Sequence, residues 1–167
     1  ENRLPSRLRQ LAELFSHLPL EIIVVNDGSR DNSKKLIHEF ARQYPSIKYA
    51  EHKNNLGKGA AVKTGMYNAS GAFLIFADAD DTYTPDHIMQ VAKNLQNGRE
   101  IVIACRNGQG KTRLAGESLW RSLQGNAFNL MVRMLLLPGV KDSQCGLKGF
   151  SRGAAAQIFP RQRIRGF

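Results

Sequence analysis

Phe73-Leu74-Ile75-Phe76-Ala77-Asp78-Ala79-Asp80-Asp81 is an apolar run that ends in carboxylates. A continuous apolar run of this length suits a strand covered on both faces, the kind found in parallel sheets. Residues two apart in a strand point to one side, so Asp78 and Asp80 can converge on one cation. Two hard oxygen ligands with open positions suit Mg²⁺ or Mn²⁺ bridging to a diphosphate. An Asp-x-Asp pair in a turn is ordinarily a solvated turn. Its place after a buried strand favours the ligand site.

Working outward, the pattern alternates between strand and helix. Upstream, Ile22 to Val25 is a β-branched run closed by Asn26, Asp27 and Gly28, again a strand buried on both faces. Helices are predicted over Pro5 to Leu18, Asp31 to Tyr44, Lys58 to Ala69 and Pro85 to Leu95. Strands are predicted at Ile47 to Ala50, Ala72 to Ala77 and Ile101 to Cys105. Such alternation argues for an open α/β sheet with its ligand site at the carboxyl ends of the strands. Beyond Arg106 a polar loop leads to an amphipathic helical stretch from Glu117 to about Leu137, ended by Pro138-Gly139.

Two further segments bring polar groups to strand ends. Asn26-Asp27-Gly28-Ser29-Arg30-Asp31 supplies a carboxylate, Asp27, able to accept from a base or ribose, with a glycine that lets the chain turn sharply. Helix capping by Ser29 or Asp31 uses different residues and is compatible with that role. Asn54-Asn55-Leu56-Gly57-Lys58-Gly59-Ala60-Ala61 opens a helix whose N–H groups, with Lys58, can meet phosphate.

In this order and spacing the three segments resemble the GT-A glycosyltransferases of family 2, most closely the polyprenyl-phosphate branch that includes the dolichyl-phosphate mannose and glucose synthases. The resemblance runs from Glu21 to Phe167, and Asp142-Ser143-Gln144-Cys145-Gly146-Leu147-Lys148 looks like a later segment of that branch. It implies a GT-A fold: a Rossmann-like, open, mostly parallel sheet with helices on both faces, in one domain over residues 1–167. It further implies that Asp27 contacts the nucleotide base, Lys58 the donor, and that Asp78 and Asp80 hold nucleotide and metal. Asp142 becomes a second acid near the metal, and Arg106 and Arg121 the cations that approach a lipid phosphate. The catalytic set implied is Asp80, Asp142 and Arg121.

The pattern also departs from the family. The family's opening strand and Pro-x-Tyr-Asn-Glu-like turn are missing, so the chain reads as a fragment that starts after them and lacks a C-terminal part, with a gap between the strands at Ile22 and Ala72 that either another segment fills or self-association covers. Thr82 stands where mannosyl members often place a metal-binding glutamine, and Gly125 where a serine often follows the arginine by four.

The composition bounds these readings. At 167 residues and 42% hydrophobic content the chain can bury roughly 70% of its unfolded surface in a single domain. Two cysteines outside any Cys-x-x-Cys spacing exclude a disulfide scaffold and a zinc ribbon. Residues 1–98 carry 12 Lys or Arg against 11 acids, residues 99–167 carry 12 against 3, so the surplus of +10 lies almost wholly in the second half. An anionic partner such as a phosphorylated ligand or a membrane surface fits that asymmetry, as does a solvated basic face. No apolar run approaches the length of about 18 residues that a spanning helix needs.

Cys105-Arg106-Asn107-Gly108-Gln109-Gly110-Lys111-Thr112 ends like a P-loop. It lacks the first glycine, and the strand ending in Asp78 precedes it, the reverse of the usual order. His17, His38, His52 and His87 show no metal-ligand spacing and read as surface positions. The reading is therefore an inverting, metal-dependent transferase that moves a hexose from a nucleoside-diphosphate sugar (UDP-glucose or GDP-mannose type) to a polyprenyl or dolichyl phosphate. It would act at the cytoplasmic face of a bacterial inner membrane or endoplasmic reticulum. The alternatives are a soluble family 2 enzyme with a saccharide acceptor and a non-catalytic basic α/β module. Against a nucleic-acid partner stand Asp78, Asp80 and Asp81, whose carboxylates repel phosphate unless a metal is present.

Overall fold

A computed structural model describes residues 4–80, 82–105, 140 and 142–166. The expected helix Glu117 to Leu137, Arg106, Arg121, Gly125, Asp81 and nearly all of the P-loop-like stretch lie outside the described residues. The first half alternates as the periodicity predicts: α1 (Leu4–Leu14), β1 (Ile22–Asp27), α2 (Ser33–Gln43), β2 (Ile47–His52), α3 (Lys58–Asn68), β3 (Phe73–Ala77), α4 (Pro85–Gln96) and β4 (Ile101–Ile103). β5 (Leu147–Ser151), α5 (Arg152–Ile158) and a 3₁₀ turn (Phe159–Arg161) complete the described elements.

The first helix stops earlier than its apolar repeat. Leu18 precedes Pro19, which disfavours helical backbone, and Leu18 N instead closes a short turn onto Phe15 O. α4 begins where the sequence marks it, with Pro85 in the first turn and Thr84 as N-cap in a reciprocal capping pair with the His87 side chain.

β1 and β2 pair in parallel, Ile22 opposite Ile47 through Asp27 opposite His52. β3 and β4 each pair antiparallel with β5, which lies between them. That antiparallel strand is absent from the sequence expectation. Alternating side chains feed helix layers on both faces. Ile22 and Val24 join Leu8, Ala12, Ile37 and Phe40 of α1 and α2. Leu74, Phe76 and Phe150 pack with Met66 of α3 and Ala155 of α5, while Ile75, Leu147 and Val102 pack with Val91 and Leu95 of α4.

The two sheets are separate among the described residues, β1 and β3 each keeping one unpaired edge. Near the start of each strand Glu21 ties them: its carboxylate accepts from Ser70 N and, at 2.7 Å, Ser70 Oγ, and pairs with Lys48 of β2 at 2.6 Å.

Candidate active site

β1, β2 and β3 deliver their carboxyl ends to one region. Asp27 ends β1, and its carboxylate gathers three protein donors: His52 Nδ1 at 2.7 Å, Leu56 N at 2.9 Å and Gly57 N at 2.9 Å. Burial alone pushes the Asp27 carboxyl up, but these bonds outweigh it and hold the group below its ordinary range. An ionised carboxylate has about four acceptor positions, so roughly one remains for a ligand. Asp27 therefore shapes the turn before α3 as well as facing the site. Gly28 is needed behind it, since its φ is +71° and a Cβ there would lie 2.6 Å from Asn54 C and Asn55 N.

His52 is a correction to the surface reading of the histidines. Its side chain is 11% exposed. With Nδ1–H donating to Asp27, Nε2 accepts from the Thr64 hydroxyl at 2.8 Å, so the ring links β1, β2 and α3. The parallel register that sets His52 opposite Asp27 is a tertiary fact, which no periodicity along the chain reveals.

Lys58, the first residue of α3, forms an ion pair with Asp78 just past the end of β3. The loop before β5 holds Asp78 from the other side. Asp78 N donates to Gly146 O at 3.2 Å, and a Cβ at Gly146 would lie 2.0 Å from Asp78 Oδ2. Gly146 N donates to the Tyr83 hydroxyl at 2.8 Å, and the buried Arg7 donates to Tyr83 O, so α1 and the loop after β3 brace the same point. Lys148 extends from β5 beneath this contact, donating to Cys145 O at 2.6 Å with its ammonium 5.4 Å from the Phe76 ring centre. Burial pushes its pKa below the usual lysine range, and Lys58 adds repulsion. Lys58, Lys148, Gln144, Phe76 and Phe159 are among the residues lining a cavity of about 660 Å³. Lys148 belongs to a segment quoted from the sequence, yet its place becomes visible only once β5 is recognised as a strand.

The expected three-carboxylate metal set is not gathered in this arrangement. Asp78 is engaged by Lys58. Asp80 is exposed and accepts from Thr82 N at 3.1 Å, and Asp142 is buried and accepts from Gln144 N at 3.1 Å. Among the described residues no three His, Cys, Asp or Glu side chains converge as a metal-binding group. Asp80 is open to solvent, while Asp78 is half-buried between Lys58 and Gly146; the hard carboxylate oxygens of the two are of the type that suits a Mg²⁺-like ion completed by phosphate.

The sequence of residues 1–159 matches the Glycosyl transferase family 2 profile. The chain belongs to glycosyltransferase family 2. Among the relatives of this family 2 chain, a dolichyl-phosphate beta-glucosyltransferase from Trichomonas vaginalis is 33% identical over 150 residues, covering 87% of this chain and 44% of that protein. The Homo sapiens dolichyl-phosphate beta-glucosyltransferase is 32% identical over 147 residues, covering 83% and 45%. The family 2 chain thus spans about half the length of the curated relatives it matches. A mannosyltransferase from Pyrobaculum calidifontis, solved with GDP-Man and Mn²⁺, superposes with a TM-score of 0.58 over 92% of this chain and 43% of that one, at 16% identity. That likeness shows the GT-A fold.

Proposed function

We propose that this family 2 domain carries the donor and acceptor site of an inverting hexosyltransferase acting on a polyprenyl phosphate of the dolichyl type, with glucose from a nucleoside diphosphate as the sugar. The carrying observation is the Lys58–Asp78 contact, set where β1, β2 and β3 end and bounded by the Asp142–Lys148 segment. The names of the relatives support the lipid acceptor and glucose, and the GDP-Man and Mn²⁺ of the structural neighbour support a nucleotide donor and a divalent cation.

Asp78 and Asp80 would hold that cation, Mg²⁺ or Mn²⁺, which when bound neutralises charge on the departing diphosphate. Asp142 adds negative charge from its buried turn beside Gln144. Lys58 meets the donor phosphate at the start of α3, and Asp27 offers its remaining acceptor position to the base or ribose. Arg106 and Arg121 are proposed to receive the acceptor phosphate, with Lys148 as a further cation lining the cavity. An acceptor phosphate oxyanion attacks the anomeric carbon as the bond to the diphosphate breaks, and the electron pair leaves with the diphosphate. Because that oxyanion is already charged, the chain needs to position and desolvate it rather than deprotonate it. The site would then work at a cytoplasm-facing membrane surface.

The test incubates the full chain with UDP-glucose or GDP-mannose, dolichyl phosphate and Mg²⁺ or Mn²⁺. Glucosyl lipid is expected from UDP-glucose and none in EDTA. Asp80→Asn is expected to weaken metal-dependent nucleotide binding by about tenfold or more, read by calorimetry. Transfer to a free saccharide with none to the lipid would overturn the acceptor assignment.

A further inference from the structure

Residues 162–166 cross the start of α3. Arg165 O accepts from Ala60 N at 3.1 Å, Gln162 O accepts from Lys63 Nζ at 3.0 Å, and the Gln162 amide donates to Gly59 O at 2.9 Å. The strap is thus held by its backbone and the Gln162 side chain, while Arg163, Ile164 and Arg165 are exposed. Ile164 is 72% exposed, and neither Arg163 nor Arg165 has an acidic partner among the described residues. Ala60, Lys63, Thr64 and Tyr67 recur at three and four along α3 and form one stripe facing the strap. Tyr67 is 58% exposed with Lys63 over its ring at 5.8 Å, and Leu56 before the helix is 44% exposed. Strap and stripe enclose a second cavity of about 560 Å³ that no acid lines. Gln162 lines both cavities, so this patch adjoins the candidate active site.

Three exposed apolar side chains interleaved with three cations, without a carboxylate, are what an interfacial surface needs. Apolar groups enter the headgroup boundary, and cations meet lipid phosphate. A second copy of this patch would repel it, because both faces carry the same sign. A stacking platform for nucleic acid needs several aromatic rings, and here Tyr67 stands alone. We propose that Leu56, Tyr67 and Ile164, with Lys63, Arg163 and Arg165, form the surface by which this domain docks on an anionic phospholipid bilayer. The inference rests on the proposed function in that a polyprenyl phosphate acceptor is presented by a bilayer next to the site. Its direct readout requires no transfer.

Flotation of the full chain with vesicles of phosphatidylcholine alone, or doped with phosphatidylglycerol, tests it. Binding to the doped vesicles is expected to be tighter and to weaken with salt. Arg163→Glu with Arg165→Glu is expected to lower that affinity by about tenfold or more, and Tyr67→Ser with Ile164→Ser to remove the binding that survives salt. The substituted side chains are exposed and the strap is held by Arg165 O, Gln162 O and the Gln162 amide, none of which the variants change, so circular dichroism and nucleotide affinity are expected to stay at wild-type values. Equal affinity for neutral vesicles, or unchanged binding of both variants, would overturn the proposal. So would binding of single-stranded DNA that the arginine variant loses while vesicle binding persists. Loss of vesicle binding in the variants with no glucosyl transfer by wild type would support the docking surface and sink the function. Transfer in detergent with no vesicle binding would do the opposite.

Discussion

Gly146 shows how a residue with no functional group can govern the site. Any β-carbon there would occupy the space of the Asp78 carboxylate, and that side chain can rotate away far more cheaply than the backbone can move. Gly146→Ala is therefore expected to cost only about 1–2 kcal/mol of stability, yet to break the Lys58–Asp78 contact and lower metal-dependent nucleotide affinity by about tenfold or more. Thermal denaturation beside calorimetry separates the two effects. His52 makes the complementary case. Replacing it with Leu leaves Asp27 and Thr64 without their shared partner, and a loss of about 1–3 kcal/mol is expected in urea unfolding. At this scale the sequence exposed the acids and Lys58 because they sit in runs with a recognisable order. His52 carries no such mark, and Gly146, though it sits in the Asp142–Lys148 run, gives no sign there of its contact with Asp78, since what matters about each is a neighbour 25 to 68 positions away.

Most strands and helices of the first half were legible because they are unbroken stretches of a single period with Asn, Asp, Gly or Pro close to their ends, α3 being the exception, since its apolar residues are spread round the helix and it is marked only by the glycine turn before it. β5 was not, because Leu147-Lys148-Gly149-Phe150-Ser151 carries a lysine and a glycine where a buried strand is expected to be apolar. Both have local causes. Lys148 points into the larger cavity, and a Cβ at Gly149 would lie 2.5 Å from Val91 Cγ1, so α4 closes on bare backbone. Contact between elements also sets a pH dependence. Lys48 and the Ser70 donors, against a desolvation penalty, hold the Glu21 carboxyl at about 2 rather than 4.5. A carboxyl depressed by folding contributes stability above its unfolded value and loses it as pH falls toward the folded one. Wild type is thus expected to lose melting temperature between about pH 5 and pH 2 more steeply than Glu21→Gln, with the variant about 1–2 kcal/mol less stable at neutral pH. Parallel melting curves across that range would remove Glu21 as the tie between the sheets.

At the scale of the molecule the sheet of the described residues is in two pieces, and the free edges of β1 and β3 leave backbone groups without ladder partners there. Ile22 to Val25, apolar throughout, stay only half-buried. Such edges recruit strands. Concentration-dependent association is expected in sedimentation velocity, reversed by an added extended apolar peptide that also raises the melting temperature. A monomer at every concentration whose melting temperature ignores the peptide would contradict it. The strap over α3 has a consequence in time rather than space. Ala60 N is capped by Arg165 O, and Gly59 O and Lys63 are bonded by Gln162 from 103 and 99 positions away. Closing so long a loop is slow. During synthesis the start of α3 emerges well before its cap exists, so these bonds can form only after the helix has been made, and until then the ligand end of α3 stays open.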